Sequence, residues 1–196
     1  MPRPSIIFVT LVLLLAVSGR AFAADAAAGK ALAAGCAGCH GEDGVAQAPD
    51  TPSLAAQPDE FIQWQLVYFR SGTRKNEVMQ PIAQALSNED IRNLGAYYSS
   101  LPPPKPGASR AGDALTQEGE KIAKQFRCRT CHADRLEGKK VTARLAGQRE
   151  DVLLKALRDF KSGVRVGVGV ATMADVVYPL NDHDMQALSH YMATLP

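Results

Sequence analysis

The chain is written twice, and that most limits what it can fold into. Cys36-Ala37-Gly38-Cys39-His40 returns 92 residues later as Cys128-Arg129-Thr130-Cys131-His132. Leu54-Ala55-Ala56-Gln57 returns as Leu145-Ala146-Gly147-Gln148, and Phe69-Arg70-Ser71-Gly72-x-Arg74 as Phe160-Lys161-Ser162-Gly163-x-Arg165, both at an offset of 91. Leu86, Asp90, Leu94, Tyr97, Leu101 and Pro102 return as Leu180, Asp184, Leu188, Tyr191, Leu195 and Pro196 at an offset of 94. An ordered series of this kind implies one duplicated unit. Between the copies, Leu101-Pro102-Pro103-Pro104-Lys105-Pro106-Gly107 cannot continue a helix and favours a semi-rigid extended spacer. We expect a signal segment over 1–23, a first domain over 24–101, a Pro-rich linker over 102–112 and a second domain over 113–196.

The four cysteines all lie in the repeated motif. Four thiols admit two disulfides, a closed zinc site or a redox dithiol. A disulfide framework does not require His after the second Cys, twice. A four-thiolate zinc site would leave both histidines idle, and a thioredoxin-like pair belongs beside a βαβ pattern that this sequence lacks. Two thiols flanking two residues, with an adjoining imidazole, instead match covalent haem attachment, the thiols adding to the vinyl groups and the histidine reaching the iron. Two haem c groups follow, on Cys36 and Cys39 and on Cys128 and Cys131. A domain of about 80 residues buries little apolar surface alone, so a large apolar cofactor would also fill much of each core.

Arg3, the apolar run Ile6 to Val17 and the small-x-small triplet Ala21-Phe22-Ala23 read as a secretory signal, and the run is too short to span a bilayer. Without that segment the chain carries 20 Lys and Arg against 20 Asp and Glu, which excludes a general nucleic-acid binder. The balance is uneven: residues 24–106 are formally −3 and residues 107–196 formally +3, a dipole able to orient encounters with a charged partner.

Helical spacing runs through each copy. Asp59 to Arg70 carries Phe61, Trp64 and Tyr68 on one stripe and Ile62, Leu66 and Phe69 on the next; Asp151 to Phe160 repeats the pattern with Val152, Leu153, Ala156, Leu157 and Phe160. These aromatics, the sole tryptophan included, are expected in the core or against haem. A capping box, Ser87-x-x-Asp90 or Asn181-x-x-Asp184, opens a last helix that buries Ile91, Leu94, Gly95 and Tyr98, or Met185, Leu188, Ser189 and Met192. The fold class is therefore all-α. His183 and His190 read as solvated or packed residues.

The sixth iron position separates a carrier from a catalyst, and a thioether both fills it and favours ferrous iron. Met79 lies 39 residues after His40 and Met173 lies 41 after His132, and the two are repeat equivalents. Met185 and Met192 fall on the packing face of the last helix and read as core.

On CAGCHGEDG (36–44), the Pro-x-Leu-Ala-x-Gln segment from Pro52, the Phe-x-Ser-Gly-x-Arg segment, Met79 and the Asp-Ile-x-x-Leu-x-x-Tyr-Tyr helix from Asp90, the chain resembles a dihaem class I cytochrome c of the cytochrome c4 family. The resemblance implies two tandem cytochrome c folds related by a pseudo-two-fold axis, with thioether links at Cys36, Cys39, Cys128 and Cys131. Axial iron ligands are implied at His40 and Met79 and at His132 and Met173. It also implies a periplasmic carrier, without a transmembrane anchor or peripheral at the membrane. Electrons would come from a quinol-oxidising complex or dehydrogenase and pass to a terminal oxidase, with no catalysis by the chain itself. The second copy departs at Ala133-Asp134-Arg135, where the first has Gly-x-x-Gly, and at Ala143, where the first has Pro52, so haems of unequal potential are expected. The same departures fit the dihaem subunit of a flavocytochrome c sulfide dehydrogenase, which takes electrons from a flavoprotein. A small peroxidase would need an open iron, against which two matched methionines argue.

Overall fold

A computed structural model of the protein describes residues 24–106, 113–167 and 170–196. The expected signal segment and residues 107–112 of the expected linker lie outside the described residues. The described residues form helices joined by loops, with a single isolated bridge between Lys139 and Thr142 and no strand.

The first half runs α1 (Ala26–Ala33), α2 (Ala37–His40), α3 (Asp59–Arg70), α4 (Met79–Gln84) and α5 (Asn88–Ser100). The second runs α6 (Ala114–Gln125), α7 (Cys128–His132), α8 (Glu150–Lys161), α9 (Val170–Val177) and α10 (Asp182–Ala193). Each half uses the same pairings: α1 on α5 and α6 on α10, α3 on α5 and α8 on α10, α3 on α4 and α8 on α9.

Asp25 starts α1 by accepting from the backbone of Ala27 and Ala28 at 2.8 and 3.2 Å, and Asp113 starts α6 by accepting from Thr116 at 2.7 Å. These caps satisfy donors that a helix start otherwise leaves orphaned. Each first helix then crosses the last at a glycine. A Cβ on Gly29 would stand 2.0 Å from the Asn93 carbonyl oxygen, and one on Gly119 would stand 2.1 Å from that of Ala187. Only a residue without a side chain permits backbones this close. The capping boxes of α5 and α10 are both complete, Ser87 with Asp90 and Asn181 with Asp184.

The predicted packing face of the last helix is buried in both copies, Ile91, Leu94, Gly95 and Tyr98 and equally Met185, Leu188, Ser189 and Met192. Trp64 lies outside the protein core. It is 45% exposed and stacks on Tyr68 at a centroid distance of 5.6 Å, outside the core that Ile62 and Phe69 enter from the same helix. His183 belongs to the first turn of α10, is exposed and meets Glu118 at 3.0 Å. His190 is packed, between Glu150 at 3.0 Å and Asp113 at 3.3 Å.

The halves meet through a reciprocal set of hydrogen bonds. Gln57 Nε2 donates to the Arg144 carbonyl at 2.9 Å while its Oε1 accepts from the Arg144 N–H at 3.0 Å. Gln148, the repeat equivalent of Gln57, does the same to Ser53, at 2.9 Å in both directions. Ser53 and Arg144 are themselves equivalents at the offset of 91, so the contact obeys a pseudo-two-fold relation.

Candidate functional site

Both attachment motifs lie in short helices whose entry places the second cysteine outward and the histidine inward. Cys36 and Cys128 are half-buried and Cys39 and Cys131 exposed, and none of the four is in a disulfide. Burial pushes the Cys36 and Cys128 thiols up; the Tyr98 hydroxyl works weakly against this at Cys36. Among the described residues no three His, Cys, Asp or Glu side chains converge as a closed metal site requires.

His40 and His132 are buried, and each ring is held at Nδ1 by a backbone carbonyl, Pro52 at 2.9 Å and Ala143 at 2.8 Å. A carbonyl only accepts, so Nδ1 carries the proton and Nε2 keeps its lone pair. Burial lowers both imidazoles from their usual value, outweighing the carbonyl's opposite effect, and favours the neutral, ligating form. Replacing Pro52 by Ala143 leaves the anchor intact because the bond uses only the backbone.

The loop after each histidine reaches that carbonyl by a left-handed turn. Gly41 and Gly44 take φ of 82° and 74° in the first half; Ala133 and Leu136 take 67° and 59° in the second. The two copies then fill the space differently. A Cβ on Gly44 would stand 3.1 Å from the Tyr98 ring, whereas Leu136 itself is completely buried and Met192 replaces Tyr98. The Tyr98 hydroxyl is buried beside the Cys36 thiol without an oxygen or nitrogen partner, and burial followed by that thiol raises its pKa far above the ordinary phenol.

Met79 is the first residue of α4, its N–H capped by Asn76 Oδ1 at 2.8 Å; Met173 lies within α9 and packs on the second core. Both are half-buried, and exposed apolar residues flank them: Val78 and Ile82 around Met79, Tyr178 at the end of α9. The helical character of these two segments carried no periodic signal, each being only six or eight residues long. Sequence reasoning also passed over Gln57, Gln148, Arg74 and Arg165 as interface residues, although each belongs to the repeated series and a polar residue retained in both copies was a usable sign.

The donor set fits haem c. It comprises, in each half, one half-buried and one exposed thiol, a neutral buried imidazole with a free Nε2, a thioether, and in the first half an orphaned hydroxyl beside the motif.

The sequence model of the cytochrome c family matches residues 26–102 and again 116–196. The chain is 34% identical over 204 residues to cytochrome c4 of Azotobacter vinelandii, covering 95% of this chain and 97% of that protein. It is 32% identical over 173 residues to a thiosulfate dehydrogenase electron acceptor of Thiomonas intermedia, covering 84% and 80%. The crystal structure of reduced recombinant cytochrome c4 from Pseudomonas stutzeri superposes with a TM-score of 0.81 at 32% identity, covering 89% of this chain and all of that one. With an attachment motif inside each matched segment and likeness along almost the whole length, the chain belongs to the cytochrome c4 family of dihaem electron carriers, with one haem c in each half.

Proposed function

We propose that the chain is a periplasmic electron carrier of a respiratory chain, exported by residues 1–23, with domains at 24–101 and 113–196 joined by 102–112. Its axial ligands are His40 and Met79 for the first iron and His132 and Met173 for the second; Cys36, Cys39, Cys128 and Cys131 make the thioether links. Haem c, when bound, supplies a reversible one-electron couple. The observation that carries the reading is the duplicated imidazole anchor, His40 on Pro52 and His132 on Ala143, which presents one neutral Nε2 per half. The half-buried methionines then close the remaining position and leave no iron for substrate, so the protein transfers electrons without catalysing a reaction. Among the described residues no helix is long and apolar enough to cross a membrane. A quinol-oxidising complex or dehydrogenase is the donor and a terminal oxidase the acceptor.

The relative described as a thiosulfate dehydrogenase electron acceptor favours a second reading, in which a sulfur-compound dehydrogenase reduces this protein directly. The two readings separate in stopped-flow reduction by each candidate donor.

Replacing Met79 or Met173 with Ala is expected to abolish the sulfur-to-iron charge-transfer absorption of one haem, to lower its potential and to admit carbon monoxide to the ferrous iron, with both haems still attached. Unchanged absorption in both variants would remove the methionine assignment.

A further inference from the structure

The helices that carry Met79 and Met173 have little to hold them in place. α4 has six residues and α9 eight, and helices that short are marginal without tertiary support. Packing supplies part of that support, but Val78 and Ile82 around Met79 are 61% and 45% exposed, and Tyr178 just past α9 is 79% exposed. The chain that leaves such a helix also carries backbone carbonyls without an intrahelical partner.

A basic side chain secures that exit in both halves. Arg70 is the last residue of α3, and Lys161, its repeat equivalent, is the last residue of α8. Arg70 Nη1 donates to the Leu86 carbonyl at 3.0 Å and Nη2 to Asn88 Oδ1 at 2.7 Å. Lys161 Nζ donates to the carbonyl of Leu180, the repeat equivalent of Leu86, and to that of Tyr178 at 3.1 Å. Since α3 enters the core at Ile62 and Phe69 and α8 at Leu153 and Leu157, each bond ties the exit of a methionine helix to an anchored one. The residue type has changed between the copies and the bond has been kept. The entry of the methionine helix differs: Asn76 Oδ1 accepts from the Val78 and Met79 N–H groups at 3.1 and 2.8 Å, whereas Val170, without a side-chain acceptor, stands at the equivalent place.

We propose that Arg70 and Lys161 are positioning residues for electron transfer, each holding the exit of its methionine helix so that the thioether stays on the iron in both oxidation states. The inference rests on the methionine ligation proposed above. Releasing the tie raises the population in which the helix opens and the thioether leaves, and an added ligand captures that population.

The test uses the fully loaded ferrous protein, titrated with carbon monoxide and followed through the methyl resonances of the two methionines. Met79→Ala and Met173→Ala should each delete one upfield-shifted methyl resonance, which assigns the pair; if neither does, the ligation falls and this inference with it. Arg70→Leu should then tighten carbon monoxide binding at the first haem, and Lys161→Leu at the second, each by about tenfold, the size expected for one lost hydrogen bond from a charged donor. The midpoint potential of the same haem should fall and that of the other stay put. Arg70→Lys should restore wild-type affinity, since a lysine serves the equivalent carbonyl in the second half. Asp113→Ala removes the cap of α6 and should destabilise the second half without changing carbon monoxide affinity. Wild-type affinity in both Leu variants, with the methyl resonances assigned as above, would overturn the positioning role and leave the ligation standing. Tightening in Asp113→Ala equal to that in Lys161→Leu would overturn it too, because general destabilisation would then be the cause. Should the Leu variants fail to take up haem, Arg70→Gln and Lys161→Gln, shorter and uncharged, take their place, and unchanged affinity in both would count equally against the proposal.

Discussion

At residue scale, duplication has been followed by compensated divergence. Leu136 sits at φ 59°, where a branched side chain is strained by about 1–2 kcal/mol relative to the right-handed region. It is tolerated because its side chain is completely buried in the core cluster that also contains Met192, where the equivalent positions of the other copy hold Gly44 and Tyr98. Leu136→Gly would relieve the strain but open a cavity, and large-to-small core losses outweigh it, so a net destabilisation of about 3 kcal/mol is expected. Denaturant unfolding of the holoprotein measures it; a variant as stable as wild type would show that backbone strain, not packing, governs this turn.

At the scale of elements, the helix starts are specified locally. The Ser87 hydroxyl accepts from the Asp90 N–H at 3.1 Å and the Asp90 carboxylate from the Ser87 N–H at 2.8 Å. Ser87→Ala should cost about 1 kcal/mol. The Ser87 side chain, then its backbone N–H, hold the Asp90 carboxyl below its ordinary value. A depressed folded value stabilises the protein fully above about pH 4 and is lost as pH falls through that value. The gap in melting temperature between wild type and Ser87→Ala should therefore be full at neutral pH and shrink in acid. A gap that widens on acidification would contradict the sign.

At the scale of the whole molecule, cooperativity between the halves rests on buried amide pairs. Removing Gln57 leaves the N–H and C=O of Arg144 without their partners, and removing Gln148 does the same to Ser53. Each buried unpaired group costs about 1–3 kcal/mol. Gln57→Ala and Gln148→Ala should each lower stability by about 3 kcal/mol, and calorimetry should resolve two unfolding transitions in the double variant. A single transition at the wild-type temperature would place the coupling elsewhere.

Much of this protein is local and was readable as such. The haem motifs depend on residues three and four apart, the capping boxes on residues three apart, and the buried face of the last helix on a 3.6-residue period, so Cys36 to His40, Ser87 to Asp90 and Ile91 to Tyr98 could be read along the chain. Comparing the copies is also what makes Met79 and Met173 the proposed distal ligands. Whatever depended on two distant segments meeting was left to the tertiary structure. Gly29 gives no sign that Asn93 will lie against it, and Trp64 sits on a helical stripe yet is 45% exposed. Arg74 and Arg165 are 91 residues apart, and their convergence on Gln65 arises only when the two halves pack. The sequence by itself thus determined two equivalent haem-bearing helical units; packing across a pseudo-two-fold interface decided how they meet, because desolvation and charge pairing between them depend on positions in space and not on spacing in the chain.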